Sequence, residues 1–185
     1  LPHTRRATER PRGLLQQILT LSRRQPHQLQ QLRFSSLVKE ALKLLRSTIP
    51  SSINIIQDIR TEAPIMADPS QAHQLVMNLC TNAYQAMPEN DGTMTVSLRD
   101  VVLKEGAEIG AGGQPLPAGN YVRFSVSDTG TGIAAEALPK IFEPYFTTKE
   151  VGRGTGLGLA VVHGIIKSAR GGITVASNPG AGTTF

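Results

Sequence analysis

The chain has 185 residues, of which 39% are apolar, with one cysteine and a formal net charge of +5. That length suits one domain with at most an appendage. No apolar run of about 18 residues or apolar N-terminal leader is present to suggest a membrane span or signal, and the lone Cys80 excludes an internal disulfide framework or a multi-cysteine metal site.

The positive charge invites a nucleic-acid reading, but its distribution argues against one. Seven of the 19 Lys/Arg and only one of the 14 Asp/Glu fall in residues 1–34, so the rest of the chain is near neutral. The basic segment has no aromatic side chains on which bases could stack before Phe34. No nucleic-acid partner is expected.

In chain order, residues 11–23 read as a helix, with Pro11 in its first turn and Leu14, Leu15, Ile18, Leu19 and Leu21 as an apolar stripe. Residues 24–34 read as a polar linker broken at Pro26. A second helix is expected at about 35–47, with Val38, Ala41, Leu42 and Leu45 on one face, then a short strand near 53–57. The clearest helix covers 69–87. Asp68 suits its N-cap and Pro69 its first turn. Val76, Leu79, Cys80, Ala83 and Met87 share an apolar face, while Asn78, Asn82 and Gln85 share another at i, i+4, i+7.

Strands at 94–103 and 121–127 flank the Gly/Pro-rich stretch 105–120, which reads as a long, mobile hairpin loop. Residues 134–155 are loop-like, with a short helical turn at 135–139. A helix follows at about 156–169, ended by Gly171-Gly172. Strands at 173–177 and 182–185 close the chain.

The run Gly152-Arg-Gly-Thr-Gly-Leu-Gly158 places four glycines in seven residues ahead of a helix. Glycines let backbone N–H groups approach a ligand closely, and a helix N-terminus adds unpaired N–H groups and partial positive charge, which suits phosphate. Three familiar phosphate motifs fail. No Gly-Lys-Ser/Thr exists for a P-loop. A G-x-G-x-x-G/A reading ends on Leu157, Leu159 or Val161 with no acid after Glu150, against a Rossmann turn. The lysine strand and His-Arg-Asp segment of a protein kinase are also missing.

The segments present are Asn78-Leu-Cys-Thr-Asn82-Ala, Asp128-Thr-Gly-Thr-Gly132, Phe142-Glu-Pro-Tyr-Phe-Thr-Thr-Lys149, the glycine run, and Gly180-Ala-Gly-Thr-Thr-Phe185. In this order and spacing the chain resembles the catalytic ATP-binding domain of bacterial sensor histidine kinases, in the gyrase–Hsp90–histidine kinase–MutL superfamily. They match that family's N, G1, F, G2 and G3 boxes over roughly residues 35–185. The match looks closest to the nitrogen-regulator branch and related hybrid kinases. The resemblance implies an α/β two-layer sandwich of the Bergerat type, with a mixed, mainly antiparallel sheet and three main helices on one face.

The resemblance further implies that Asn82 ligates Mg²⁺ and that Asn78, one turn earlier, faces the same site. An amide oxygen is a reasonable hard ligand for Mg²⁺. In ATP-hydrolysing members the Asn78 position is typically a water-activating Glu. An amide cannot be a general base, so Asn78 favours transfer of the γ-phosphoryl over hydrolysis. Gln85 stands where many sensor kinases carry a basic phosphate contact. Asp128 corresponds to the adenine-reading Asp, Gly130 and Gly132 let the backbone pass close to the base, and Thr183 supports the adenine contact. Ala86 and Ile133 are expected as apolar walls. Residues 134–155 match the ATP lid. Its Phe142, Tyr145 and Phe146 either anchor the loop, or clamp the lid or touch the histidine-bearing helices, and Lys149 and Arg153 are placed to meet phosphates. Gly154, Thr155, Gly156, Leu157 and Gly158 are expected to wrap the triphosphate.

No acceptor histidine is expected in this chain. His3, His27, His73 and His163 are followed by Thr, Gln, Gln and Gly, where the family has an acid. Residues 1–34 instead resemble the end of the second dimerisation helix (Leu15-Gln-Gln-Ile-Leu-Thr-Leu-Ser22) with its linker, which puts the acceptor helix upstream. The reading implied is ATP·Mg²⁺ binding and γ-phosphoryl donation to a histidine. Its partners would be the dimerisation domain of the same protein, presumed homodimeric, and a response-regulator receiver. A cytoplasmic location is expected, with the parent protein free to carry a membrane anchor. Two rivals stand beside it: an ATP-hydrolysing member of the superfamily, and a catalytically silent docking module.

Overall fold

The computed structural model describes residues 28–88, 91–106, 108–148 and 154–185. The helix expected at 11–23 lies outside them. The described elements are β1 (Gln30–Arg33), α1 (Phe34–Arg46), β2 (Ile53–Ile59), β3 (Pro64–Ala67), α2 (Pro69–Ala86), β4 (Gly92–Leu103), β5 (Gly119–Asp128), a 3-10 turn (Leu138–Lys140), α3 (Gly158–Ser168), β6 (Ala176–Asn178) and β7 (Gly182–Thr184).

Five strands form one sheet in the order β2-β4-β5-β7-β6. Only β2 and β4 run parallel; the other pairs are antiparallel. Along β4, Met94, Val96 and Leu98 are fully buried while Thr93, Thr95 and Ser97 are not. This period of two covers one sheet face and leaves the other to solvent. The covered face packs against Val38, Leu42 and Leu45 of α1, Val76, Leu79 and Cys80 of α2, and Val162 of α3. Burying each such aliphatic side chain contributes about 1.5–3 kcal/mol. The mixed, mainly antiparallel sheet with helices on one face is therefore as expected.

The helix over 69–86 starts as its sequence predicts. Asp68 Oδ1 accepts from the Ser70 and Gln71 N–H groups at 2.8 and 3.2 Å, and Pro69 opens the first turn. These bonds, led by the one from the Ser70 hydroxyl, lower the Asp68 carboxyl below its ordinary range.

Two expectations need correction, at residues 30–33 and after α3. Residues 30–33, expected as linker, form β1, which pairs antiparallel with β3. Neither four-residue strand carries a usable alternation, so the ribbon is invisible until its two halves meet. The 105–120 stretch between β4 and β5 packs against the segment that follows α3. Ile109 bridges to Pro115, Ala111 N–H donates to Gly171 O at 2.9 Å, and Leu116 is buried. Finally, the residue at positive φ after α3 is Arg170 (55°) rather than a glycine. The Gly171 N–H then reaches back to Ile166 O at 2.9 Å, closing the helix as a Schellman-like cap.

Candidate nucleotide-binding site

β5 ends at Asp128, and antiparallel pairing sets Thr183 of β7 directly opposite. Asp128 is 5% exposed and Thr183 4%. Asp128 Oδ1 accepts from the Gly130 N–H at 2.9 Å and the Thr183 N–H at 3.3 Å. Burial pushes the Asp128 carboxyl above the ordinary aspartate range, while those two N–H bonds pull the other way. Both bonds fall on Oδ1, and neither reaches Oδ2 of this cavity-lining residue.

The chain after Asp128 turns where side chains cannot fit. A Cβ on Gly130 would lie 2.4 Å from Ala86 O, and one on Gly132 (φ 71°) would lie 2.1 Å from Asn178 O. Thr131 N–H donates to Ala86 O at 2.9 Å and Ile133 N–H to Ser177 Oγ at 2.8 Å. The loop is thus clamped between the end of α2 and β6, which brings Ala86 and Ile133 together as cavity walls.

The opposite wall is the polar face of α2. Asn78, Asn82 and Gln85 all line the cavity, as their spacing predicts. Asn78 Nδ2 donates to Gly158 O at 3.3 Å. A Cβ on Gly158 would lie 3.7 Å from Asn82 Nδ2 and 3.9 Å from its Oδ1. The first residue of α3 therefore sits against both asparagines. The partial positive charge of that helix end falls inside the cavity.

The third wall is the loop between the 3-10 turn and α3. Phe146, Gly154, Thr155 and Gly156 line the cavity. Phe142 stacks on His163 with ring centroids 5.3 Å apart and meets Phe185 edge-on at 6.5 Å. Tyr145 is 74% exposed. The three aromatics thus divide: Phe142 anchors the loop, Phe146 faces the cavity and Tyr145 faces solvent.

The cavity is an open cleft of about 710 Å³, within the roughly 300–1,000 Å³ usual for small-molecule and cofactor sites. A larger space of about 990 Å³ opens among Phe34, Leu75, Leu116 and Ile166, with Phe185 lining both spaces. It holds none of the predicted site residues.

Asn78, Asn82, Ala86, Asp128, Gly132, Ile133, Gly154, Thr155, Gly156, Gly158 and Thr183 all meet at the one cavity. Gly130 supports it from behind through its bond to Asp128. Leu157 is not a wall; it is the residue before α3, its N–H donating to Thr155 Oγ1 at 3.4 Å. Lys149 and Arg153 lie outside the described residues. Thr81, Thr131 and Leu159, which the sequence motifs do not include as site residues, also line the cavity. Each neighbours a predicted residue, and that adjacency is the only signal in the sequence.

A family model described as "Histidine kinase-, DNA gyrase B-, and HSP90-like ATPase" matches residues 67–185. The chain belongs to this family. Sensor kinase CckA of Brucella abortus (strain 2308) is 43% identical over 177 residues, covering 95% of this chain and 18% of CckA. Sensor histidine kinase ZraS of Escherichia coli (strain K12) is 46% identical over 121 residues, covering 65% of this chain and 22% of ZraS. The nucleotide-free catalytic domain of histidine kinase ThkA superposes with a TM-score of 0.67 at 29% identity, over 85% of this chain and 92% of that domain. ThkA in complex with the response regulator protein TrrA gives a TM-score of 0.68 at 26% identity, over 95% of this chain and 46% of that one. Within the ATPase family, the chain is a catalytic domain of the sensor histidine kinase kind. It spans about a fifth of the length of these curated relatives. Their names do not bear on the nitrogen-regulator branch. No helix among the described residues is long and apolar enough to cross a membrane.

Proposed function

We propose that the cavity binds ATP with Mg²⁺ and presents the γ-phosphoryl to a histidine that lies upstream of this segment in the full-length protein. The observation that carries this reading is the buried Asp128 carboxylate. Its Oδ1 is held by two backbone N–H groups, and it shares one cavity with Asn82 and the N-terminus of α3. Oδ2 would accept the exocyclic N–H of adenine. Guanine offers a carbonyl there, and leaving a buried acceptor unpaired costs about 1–3 kcal/mol. Ala86 and Ile133 would flank the base. Gly154 to Gly158, Leu157 included, would turn N–H groups to the phosphates, with Lys149 as a further cation.

The donor set fits Mg²⁺. Asn82 supplies an amide oxygen, and among the described residues no group of three or more His, Cys, Asp or Glu side chains could hold a metal unaided. Asn82 would hold the ion jointly with phosphate oxygens, and the ion would neutralise phosphate charge. Asn78 would position the helix end at Gly158 rather than activate water. Phosphoryl transfer asks the protein mainly for positioning and charge stabilisation.

We further propose that the residues before β1 carry the end of a dimerisation helix and linker, and that the catalytic domain begins at β1 (Gln30–Arg33), which pairs with β3, rather than at residue 35. The partners would be the dimerisation domain of the same, homodimeric protein and a response-regulator receiver, on the cytoplasmic side. Titration calorimetry with a non-hydrolysable ATP analogue tests the site. Mg²⁺-dependent binding lost in Asn82→Ala and Asp128→Ala is expected; no binding would favour a silent docking module. Stable incorporation of radiolabelled phosphate into residues 1–185 alone would contradict an acceptor elsewhere. Steady-state hydrolysis by wild type matching that of Asn78→Glu would favour the ATPase reading.

A further inference from the structure

Behind Thr183, on β6, lies a hydroxyl that no box of the family motif contains. Ser177 Oγ accepts from the Ile133 N–H at 2.8 Å, lies 3.1 Å from Gly182 O as a donor, and lies 2.8 Å from Thr183 Oγ1. Ser177 does not line the cavity; Ile133 and Thr183 do, on either side of the Asp128 loop. One side chain therefore joins the wall that would flank the base to the hydroxyl of Thr183, whose backbone N–H holds the carboxylate.

The proton arithmetic gives this junction a function. A serine hydroxyl has one hydrogen to donate. When Ser177 donates to Gly182 O, Thr183 must donate to Ser177, and Thr183 then offers only lone pairs to the cavity. When Ser177 donates to Thr183 instead, the Thr183 hydrogen is free for a ligand. Both geometries lie within hydrogen-bond distance. We infer that Ser177 is a positioning residue of the base site, which acts by orienting the Thr183 hydroxyl. The inference rests on the ATP reading above.

A double-mutant cycle on the full 185-residue chain tests it, using calorimetric affinity for a non-hydrolysable ATP analogue with Mg²⁺. Ser177→Ala should weaken binding about 5- to 10-fold, the effect of one well-placed hydrogen bond. In a Thr183→Val background the same change should weaken it by less than about twofold. Ser177→Thr, which keeps the hydroxyl on a strand, should bind within about twofold of wild type. Equal losses in both backgrounds, or unchanged binding by Ser177→Ala, would overturn the inference while leaving the ATP reading intact. Absence of binding by wild type would overturn both. A purely structural role predicts a fall in melting temperature with no coupling to Thr183, which is the additive outcome.

Discussion

Tyr145 and Gly156 cross backbone to backbone: the Tyr145 N–H donates to Gly156 O at 2.9 Å, and both residues take positive φ, 67° and 65°. A Cβ on Gly156 would lie 2.4 Å from the Tyr145 carbonyl carbon. The glycine run is thus tied to the aromatic segment that precedes it. Gly156 is where the chain passes through the contact.

Gly156→Ala should break that crossing. Alanine at positive φ already costs more than about 1 kcal/mol, and the clash is with backbone, which cannot rotate away. Affinity for the ATP analogue should fall at least about tenfold. The strand and helix core lies elsewhere, so far-ultraviolet circular dichroism should not change. Wild-type affinity in the variant, measured by calorimetry, would show that the crossing does not shape the cavity.

Asp128→Asn separates folding from binding. The folded carboxyl titrates above its ordinary value because of burial. The folded state therefore binds protons more tightly than the unfolded chain. The sign follows: the stability this group contributes is fully present below the ordinary aspartate value and is lost as pH rises through the raised folded value. Ligand-free Asp128→Asn should thus melt at or above wild type at pH 7, and lose that advantage on acidification toward pH 4. Its ATP-analogue affinity should fall at least about tenfold, because an amide nitrogen replaces the acceptor oxygen. Melting curves at the two pH values check this; an advantage that grows on acidification would refute it.

Mg²⁺ alone should not bind. Asn82 brings no charge, and the described residues hold no cluster of acidic or imidazole ligands. Calorimetric injection of Mg²⁺ into nucleotide-free protein should give no saturable heat, whereas injection after ADP or ATP analogue should. Asn82→Ala should remove most of that second signal without lowering the melting temperature by more than a few degrees. Saturable binding to the nucleotide-free chain would place the metal elsewhere.

Cys80 is fully buried, and burial pushes its thiol up to about 12. The thiolate is the reactive form. At pH 8 a disulfide-exchange reagent should therefore label the native chain at least about a hundredfold more slowly than the urea-unfolded chain. Rapid native labelling would mean that α2 opens locally.

The helices over 34–46 and 69–86 were legible because each combines an apolar stripe at helical spacing with a start signal or a turn. The Asn78, Asn82 and Gln85 face followed from the same periodicity. Boundaries drifted by one to three residues where glycine-rich ends meet strands, as at β6, expected at 173–177 and found at Ala176–Asn178. The β1–β3 ribbon was not legible, since four-residue strands acquire their pairing only from each other. The roles of the three lid aromatics could not be divided either. Whether Phe142 is an anchor depends on His163 and Phe185, which lie 21 and 43 residues further along the chain.

The order and spacing of five short segments determined the family, the sheet-and-helix architecture and eleven residues that meet at one cavity. Those are properties of local chemistry repeated in a known order. Only the tertiary structure decided that Asp128 is buried and doubly bonded, that Asn78 is committed to the first carbonyl of α3, and that Ser177 stands behind Thr183. The reason is physical. Hydrogen-bond partners and desolvation are set by what lies across the sheet, and Ser177 and Ile133 are 44 residues apart in sequence but 2.8 Å apart in space.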